Sequence, residues 1–182
     1  MEKINFIEIL ILTIWLMLPA YLANPAAAIA VYKDIAPTPI DLGKKIGNNR
    51  ILGDGKTYKG LICGVLFGII LGFIQSQIAP TINLPVFSIS AIIALPVGSL
   101  MGDIIASFFK RRINMERGAS FPLIDQLDFV FGAWLLTFLI DSNWFLEHFS
   151  LPIIISTLIL TPMFHLIFNI IGYKIGVSKH PW

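Results

Sequence analysis

Charge is what this 182-residue chain has least of: Asp, Glu, Lys and Arg together make up 13% of it, against about a quarter in soluble domains. With 56% hydrophobic residues and a mean hydropathy of +0.81, that shortage excludes an ordinary soluble domain. It also excludes a disordered chain, which needs low hydrophobicity and high net charge. Cysteine is nearly absent too. Cys63 stands alone, so no internal disulfide and no cysteine-built zinc site can form. Histidine is scarce and scattered: His148, His165 and His180 make no metal set, and none lies near Ser107 in the sequence. What remains is an integral membrane protein, a single domain over 1–182, whose few charged segments must carry any chemistry.

A bilayer core takes about 20 apolar residues in a helix. Five stretches qualify, at about 6–32, 61–79, 86–109, 127–146 and 151–177. The fourth is the weakest, because only 129–140 is free of charge, but Trp134, Asp141 and Trp144 suit an interface at its edges. A cleaved leader is not expected, since Glu2, Lys3 and Glu8 do not make a positive n-region. The cations decide the orientation. Twelve of the 13 Lys and Arg fall in the loop from Lys33 to Lys59, in the loop from Lys110 to Gln126, and near the C-terminus. The connections 80–85 and 141–150 hold none. By the positive-inside rule the expected fold is an all-α membrane protein with five transmembrane helices. Its N-terminus lies outside, its C-terminus lies in the cytoplasm, and two cytoplasmic loops form the active site.

Inside the second stretch Gly60, Gly64, Gly68 and Gly72 recur every four residues. Such a stripe suits close helix packing of the small-xxx-small kind, or else a groove for a lipid tail. Pro19, Pro96 and Pro162 each free a backbone carbonyl and bend their helix. His165, deep in the fifth stretch, reads as a packed polar residue, although ionisable groups within a membrane point to function by default.

The densest chemistry lies where the third stretch ends. Asp103, Ser107, Lys110 and Arg111 are spaced by four, seven and eight, which places them on one helix face. A carboxylate about two turns inside a basic helix end is costly unless paired or metal-bound. Arg112 and Arg117 follow, then Pro122, and then Asp125 and Asp128, three apart at a helix start. Carboxylate oxygens select hard cations, and Mg²⁺ commonly takes one or two of them together with substrate phosphate oxygens. Three aspartates beside four cations have the composition of a site for phosphate and metal. The first loop adds Asp41, Lys44, Lys45 and the run from Asp54 to Gly60. Gly55-Lys56-Thr57 is not a phosphate-binding P-loop, which would need glycine where Arg50 stands and a preceding strand. Lysine and glycine at the mouth of a membrane site still suit a nucleoside triphosphate.

The run Gly102-Asp103, Ser107-Phe-Phe-Lys110-Arg111, Arg117-Gly118, Pro122, Asp125 and Asp128 resembles the signature of the phosphatidate cytidylyltransferases, the CDP-alcohol lipid synthases. Lys56-Thr57-Tyr58-Lys59-Gly60 is similar to that family's other loop. The small size, together with Asn24-Pro25-Ala-Ala and Pro37-Thr-Pro39-Ile-Asp41, resembles its archaeal branch, the CDP-archaeol synthases. Arg117-Gly118, Pro122-Leu-Ile and Gln126 depart from the bacterial pattern, which favours the archaeal substrate. The resemblance implies that the phosphate of 2,3-bis-O-(geranylgeranyl)glycerol 1-phosphate attacks the α-phosphorus of CTP, giving CDP-archaeol and pyrophosphate. It implies Asp103, Asp125 and Asp128 as ligands of Mg²⁺. Lys56, Thr57, Lys59, Lys110, Arg111 and Arg117 would serve the triphosphate, with Ser107, Arg112 and Pro122 helping to position the phosphates. CTP, an ether-lipid phosphate and the surrounding lipids of the cell membrane are the implied partners, with no nucleic acid. Acid Asp103 argues against an inert scaffold. The odd number of stretches and the lack of an internal repeat argue against a duplicated transporter. A CDP-alcohol phosphotransferase would carry a longer aspartate ladder.

Overall fold

The computed structural model describes residues 5–115, 121 and 123–177. Among them are six α-helices, α1 Phe6–Ala30, α2 Tyr58–Ile78, α3 Ile89–Arg112, α4 Ile124–Ile140, α5 Ser142–His148 and α6 Leu151–Lys174. A two-residue hairpin, β1 Lys45–Ile46 and β2 Asn49–Arg50, sits in the loop between α1 and α2. Four of the helices, α1, α2, α3 and α6, are long and apolar enough to cross a membrane. The fold is therefore helical, as expected, with that hairpin as a small addition.

The stretch 127–146 is divided rather than continuous. α4 stops at Ile140 after 17 residues, a rise of about 25 Å, and α5 begins afresh. Asp141 causes the break. Its carboxylate accepts from the Trp144 backbone N–H at 3.1 Å and from the Ser88 hydroxyl at 2.6 Å, so it caps α5 and ties the break to the start of α3. Other starts follow the same logic of supplying acceptors for orphan N–H groups. Asn5 and Glu8 form a reciprocal capping box, Thr57 caps α2 through the Gly60 N–H, and Ser88 caps α3 through the Ala91 N–H.

α3 is the most enclosed helix, buried along Ala91, Leu95, Ser99 and Gly102. On one side it meets α4 through backbone rather than side chains. A Cβ built on Gly98 or Gly102 would strike the carbonyl oxygens of Gly132 and Asp128 respectively. On the other side the glycine stripe of α2 lies against α1 and α3, where a Cβ on Gly64 would sit 2.6 Å from the Ala23 carbonyl oxygen. The stripe thus serves close packing. The opposite face of α2 exposes Ile62, Leu66, Ile70 and Phe73, an apolar surface suited to lipid. α6 is held to α1 by a buried bond between Thr161 Oγ1 and the Tyr21 hydroxyl at 3.0 Å. At the end away from the hairpin, Trp15 and Trp144 donate their indole N–H groups to the Pro85 and Val86 carbonyls at 2.9 and 3.0 Å.

Candidate active site at the charged end

The last two turns of α3, the first turn of α4, the middle of α6 and the hairpin loop surround a cleft of about 640 Å³. α3 supplies Asp103, Ser107, Lys110 and Arg111, and α4 supplies Asp125 and Asp128. The loop contributes Lys56, Arg50 and Lys45. The helical spacing of four, seven and eight from Asp103 works as expected, because seven and eight residues bring a side chain back to within about 80° of its start.

Asp103 and Asp125 are each held by a lysine. Lys56 Nζ donates to Asp103 Oδ2, and Lys110 Nζ reaches both oxygens of Asp125 at 2.9 and 2.8 Å. Asp125 also accepts the Phe121 backbone N–H at 2.9 Å, which fixes it at the start of α4. Asp128 Oδ1 accepts only its neighbour's N–H, that of Phe129, at 2.6 Å, and no lysine or arginine pairs with it among the described residues. Arg111 Nη1 donates to the Met115 carbonyl, while its buried Nε has no partner among the described residues. A buried donor without an acceptor is unfavourable, and an anion in the cleft would supply one.

The roof of the cleft is built on Asp41. This carboxylate is fully enclosed and takes two bonds from Arg50, at 2.5 and 3.2 Å, along with the backbone N–H groups of Gly43, Leu52 and Gly53. The Arg50 guanidinium holds the Asp41 carboxyl well below the usual carboxylate range, aided by the backbone donors and opposed by burial. The same contact raises Arg50. Gly43, Gly47 and Gly53 take φ of 80°, 62° and 90°, a backbone region where a side chain strains, and so let the loop fold over its own acid. Arg112 secures the roof to α3 by donating to the Arg50 and Ile46 carbonyls at 2.6 and 3.2 Å.

Not every residue expected at the site lines the cleft. Arg112 points to the roof. Lys59 pairs with Asp34 at 3.0 Å on an exposed surface. Thr57 is spent on its cap and borders a smaller cavity of about 200 Å³ between α1, α2 and α3. Arg117 and Pro122 lie outside the described residues. Lys45, from the first-loop cluster, lines the cleft, and so do Arg50, His165 and Asn169, which were not assigned to the site from the sequence. The spacing of Asp41 and Arg50, with glycines between and after them, was the one signal for the roof.

A second cavity of about 400 Å³ opens between α1, α4 and α6, walled by Tyr21, Phe129, Phe164 and Phe168 among others. It is apolar along its length but ends on Asp103, Asp125 and Asp128, the same three carboxylates that border the cleft. The donor chemistry of these carboxylates fits Mg²⁺, which needs one or two of them and completes its shell with water and phosphate oxygens. Among the described residues no three acidic or thiol or imidazole groups are already gathered closely enough to enclose an ion. The lysine pairs hold two of the three acids instead.

Comparison with known proteins points to one family. A family model described as CarS-like, CDP-archaeol synthase, matches residues 6–182. The chain is 47% identical over 179 residues to a CDP-archaeol synthase of Methanosarcina barkeri, covering 91% of this chain and 100% of that one. It is 49% identical over 183 residues to one of Methanocella arvoryzae, with the same coverage, and 39% identical over 190 residues to one of Natronomonas pharaonis, covering 96% and 98%. A solved structure of an intramembrane enzyme for archaeal membrane lipids biosynthesis superposes with a TM-score of 0.71 at 31% identity, covering 91% of this chain and 95% of that one.

Proposed function

The chain belongs to the CarS-like CDP-archaeol synthase family, membrane-embedded cytidylyltransferases of ether-lipid biosynthesis, and we propose that it forms CDP-archaeol where the cleft meets the groove. The observation that carries this reading is the convergence of a cation-lined cleft and an apolar groove on Asp103, Asp125 and Asp128. A reaction between a nucleoside triphosphate and a lipid phosphate needs one cavity for each substrate and a shared point between them.

CTP lies in the cleft, its triphosphate facing Lys56, Lys110 and Arg111, with Ser107 beside them. The lipid lies in the groove with its phosphate toward the carboxylates. An oxygen of the lipid phosphate forms a bond to the α-phosphorus of CTP, the bond from that phosphorus to the bridging oxygen of the β-phosphate breaks, and pyrophosphate leaves with the electron pair. The attacking oxygen is already anionic, so no general base is required. Positioning and charge neutralisation are the main demands of such a transfer. Asp103, Asp125 and Asp128 would hold Mg²⁺, which would supply neutralisation of phosphate charge there. Lys56 and Lys110 are the resident counterions of Asp103 and Asp125. Both ammonium groups line the cleft, so a triphosphate there would compete with the carboxylates for them. Arg112 and Thr57 serve by holding the roof and the start of α2, and Lys59 by anchoring the loop to Asp34.

We place the protein in the cell membrane with five spans, α4 and α5 together making the fourth. The N-terminus is outside and both charged loops are in the cytoplasm, where CTP is available. The test is pyrophosphate release by detergent-purified protein given CTP, Mg²⁺ and either the geranylgeranyl ether-lipid phosphate or phosphatidic acid. Release with the ether lipid and little with phosphatidic acid is expected. Equal rates with both would move the specificity to phosphatidic acid and lipids at large, and silence with folded protein would overturn the reading.

A further inference from the structure

The cleft and the groove share five lining residues: Asp103, Asp125, Asp128, His165 and Asn169. The carboxylates by themselves repel a phosphate. The cations that would attract one are on the cleft side, because Lys45, Arg50, Lys56, Lys110 and Arg111 line the cleft while no lysine or arginine lines the groove among the described residues. A phosphate carried in from the groove therefore meets acids before it meets cations. Among the described residues, the side chains that border both cavities and can donate a hydrogen bond to it are His165 and Asn169.

Resting on the function proposed above, we propose that His165, held by Asn169, is the receiving group for the phosphate of the acceptor lipid. The two residues are one turn apart on α6, and the Asn169 Nδ2 lies 3.2 Å from His165 Nδ1. An amide N–H donated to Nδ1 leaves the ring proton on Nε2, so the neutral imidazole becomes an oriented donor. A neutral donor suits this place. It steers the phosphate while leaving the negative charge on the oxygen that must attack, whereas a fixed cation on the groove side would hold that charge back. His165 is thus a positioning residue for one substrate, and Lys56, Lys110 and Arg111 serve the other.

The experiment uses the full chain in detergent and measures KM for the ether-lipid phosphate and for CTP separately, with the thermal shift induced by CTP and Mg²⁺ as an independent readout of the nucleotide site. For His165→Leu the KM for lipid should rise about tenfold or more, the range expected when a hydrogen bond to a charged group is lost. KM for CTP and the thermal shift should stay within about twofold. His165→Gln, which keeps an N–H at similar reach, should recover most of the loss, and Asn169→Leu should raise the lipid KM in the same direction by less. If His165→Leu does not fold, His165→Phe, which also lacks a donor, replaces it with the same expectations. An unchanged lipid KM, an equal rise in both KM values, or a glutamine variant as poor as the leucine variant would overturn the inference. A wild-type protein that releases no pyrophosphate with any lipid phosphate would overturn the underlying function as well. An active wild type with an unaffected leucine variant would overturn only the role of His165.

Discussion

The two ends of the helix bundle are held together by opposite means. At the end where α2 leads into α3 and α5 leads into α6, Phe87, Trp144 and Phe149 pack with ring centroids 5.4 to 6.1 Å apart, and the Trp15 and Trp144 N–H groups are matched to carbonyls. No lysine or arginine lies there in 80–85 or 141–150. At the other end the contacts are pairs of opposite charge, Lys56 with Asp103 and Lys110 with Asp125, beside the orphan Nε of Arg111. The aromatic end is closed by packed rings, although the buried Trp134 Nε1 there has no partner among the described residues, whereas the charged end holds charged groups that a substrate could claim. Lysine pairs of this kind stabilise little by themselves when partly solvated, and they can change partners without unpacking the core. The difference separates a staple from a site, and mutations should respect it.

The largest effect should come from Asp128, the one of the three aspartates shared by cleft and groove that no lysine or arginine pairs with among the described residues. Asp128→Asn keeps the shape and the Phe129 contact but removes the charge. Loss of such an electrostatic group commonly costs about 10²-fold or more in rate, and turnover should fall at least that far while the thermal midpoint in detergent stays near that of the wild type. Near-normal pyrophosphate release would end the assignment of Asp128 to the metal. The next effect tests how the two acid-bearing helices are spaced. Gly102→Ala must push α3 from the Asp128 carbonyl, and a displacement near 1 Å at a reacting centre can cost about 10²-fold. Gly98→Ala meets the Gly132 carbonyl one turn farther from the acids. Both should lower stability by about 1–3 kcal/mol, as overpacking does, but Gly102→Ala should lose far more activity for the same stability. Equal losses of activity would mean that the glycine contact holds up the fold without setting the acids.

Much of this arrangement could be read from residue spacing. Asp103, Ser107, Lys110 and Arg111 were legible because one helix face obeys one period. Arg112 was not, because nine residues from Asp103 is about half a turn out of phase, and its side chain goes to the roof. Asp125 and Asp128 were legible as a pair at a helix start. His165 and Asn169 were not, since only the packing of α6 beside α1 and α4 brings them to the acids. The break at Asp141 was hidden for a similar reason: its partner Ser88 is 53 residues away, and hydropathy does not see such a bond. The roof needed the convergence of three backbone N–H groups and one guanidinium on Asp41, which local composition signals only as a glycine-rich loop.

The roof offers a smaller effect and a pH dependence. Asp41→Asn would weaken the donors gathered there and should lower activity about tenfold, because the loop positions Lys56 and Arg50 without being itself the reacting group. The folded Asp41 titrates below its unfolded value of about 3.9. Its contribution is therefore fully present above that pH and is lost as pH falls through it toward the lower folded value. Protection of the Gly43, Leu52 and Gly53 amides from hydrogen exchange should be greater in the wild type than in Asp41→Asn at neutral pH. The two should converge as the pH drops below about 4. A constant gap down to the lowest pH at which the protein stays folded would remove the carboxylate charge from the explanation.

The smallest effect on activity should come from the opposite end, and it is the sharpest check on the contrast. Trp144→Phe keeps a ring against Phe87 and Phe149 but deletes the N–H bonded to the Val86 carbonyl at 3.0 Å. Loss of one such bond, with an acceptor left behind, destabilises by about 1 kcal/mol. The thermal midpoint should fall by a few degrees while kcat and both KM values stay within about twofold. The reasoning is geometric: Trp144 joins α5 to the segment before α3, a connection on the far side of the bundle from the acids, and the packed glycine contact between α3 and α4 lies between the two. A kinetic change larger than the stability change would mean that strain at the aromatic end travels down α3 to Asp103, and the bundle would then have to be treated as one mechanical unit rather than a staple and a site.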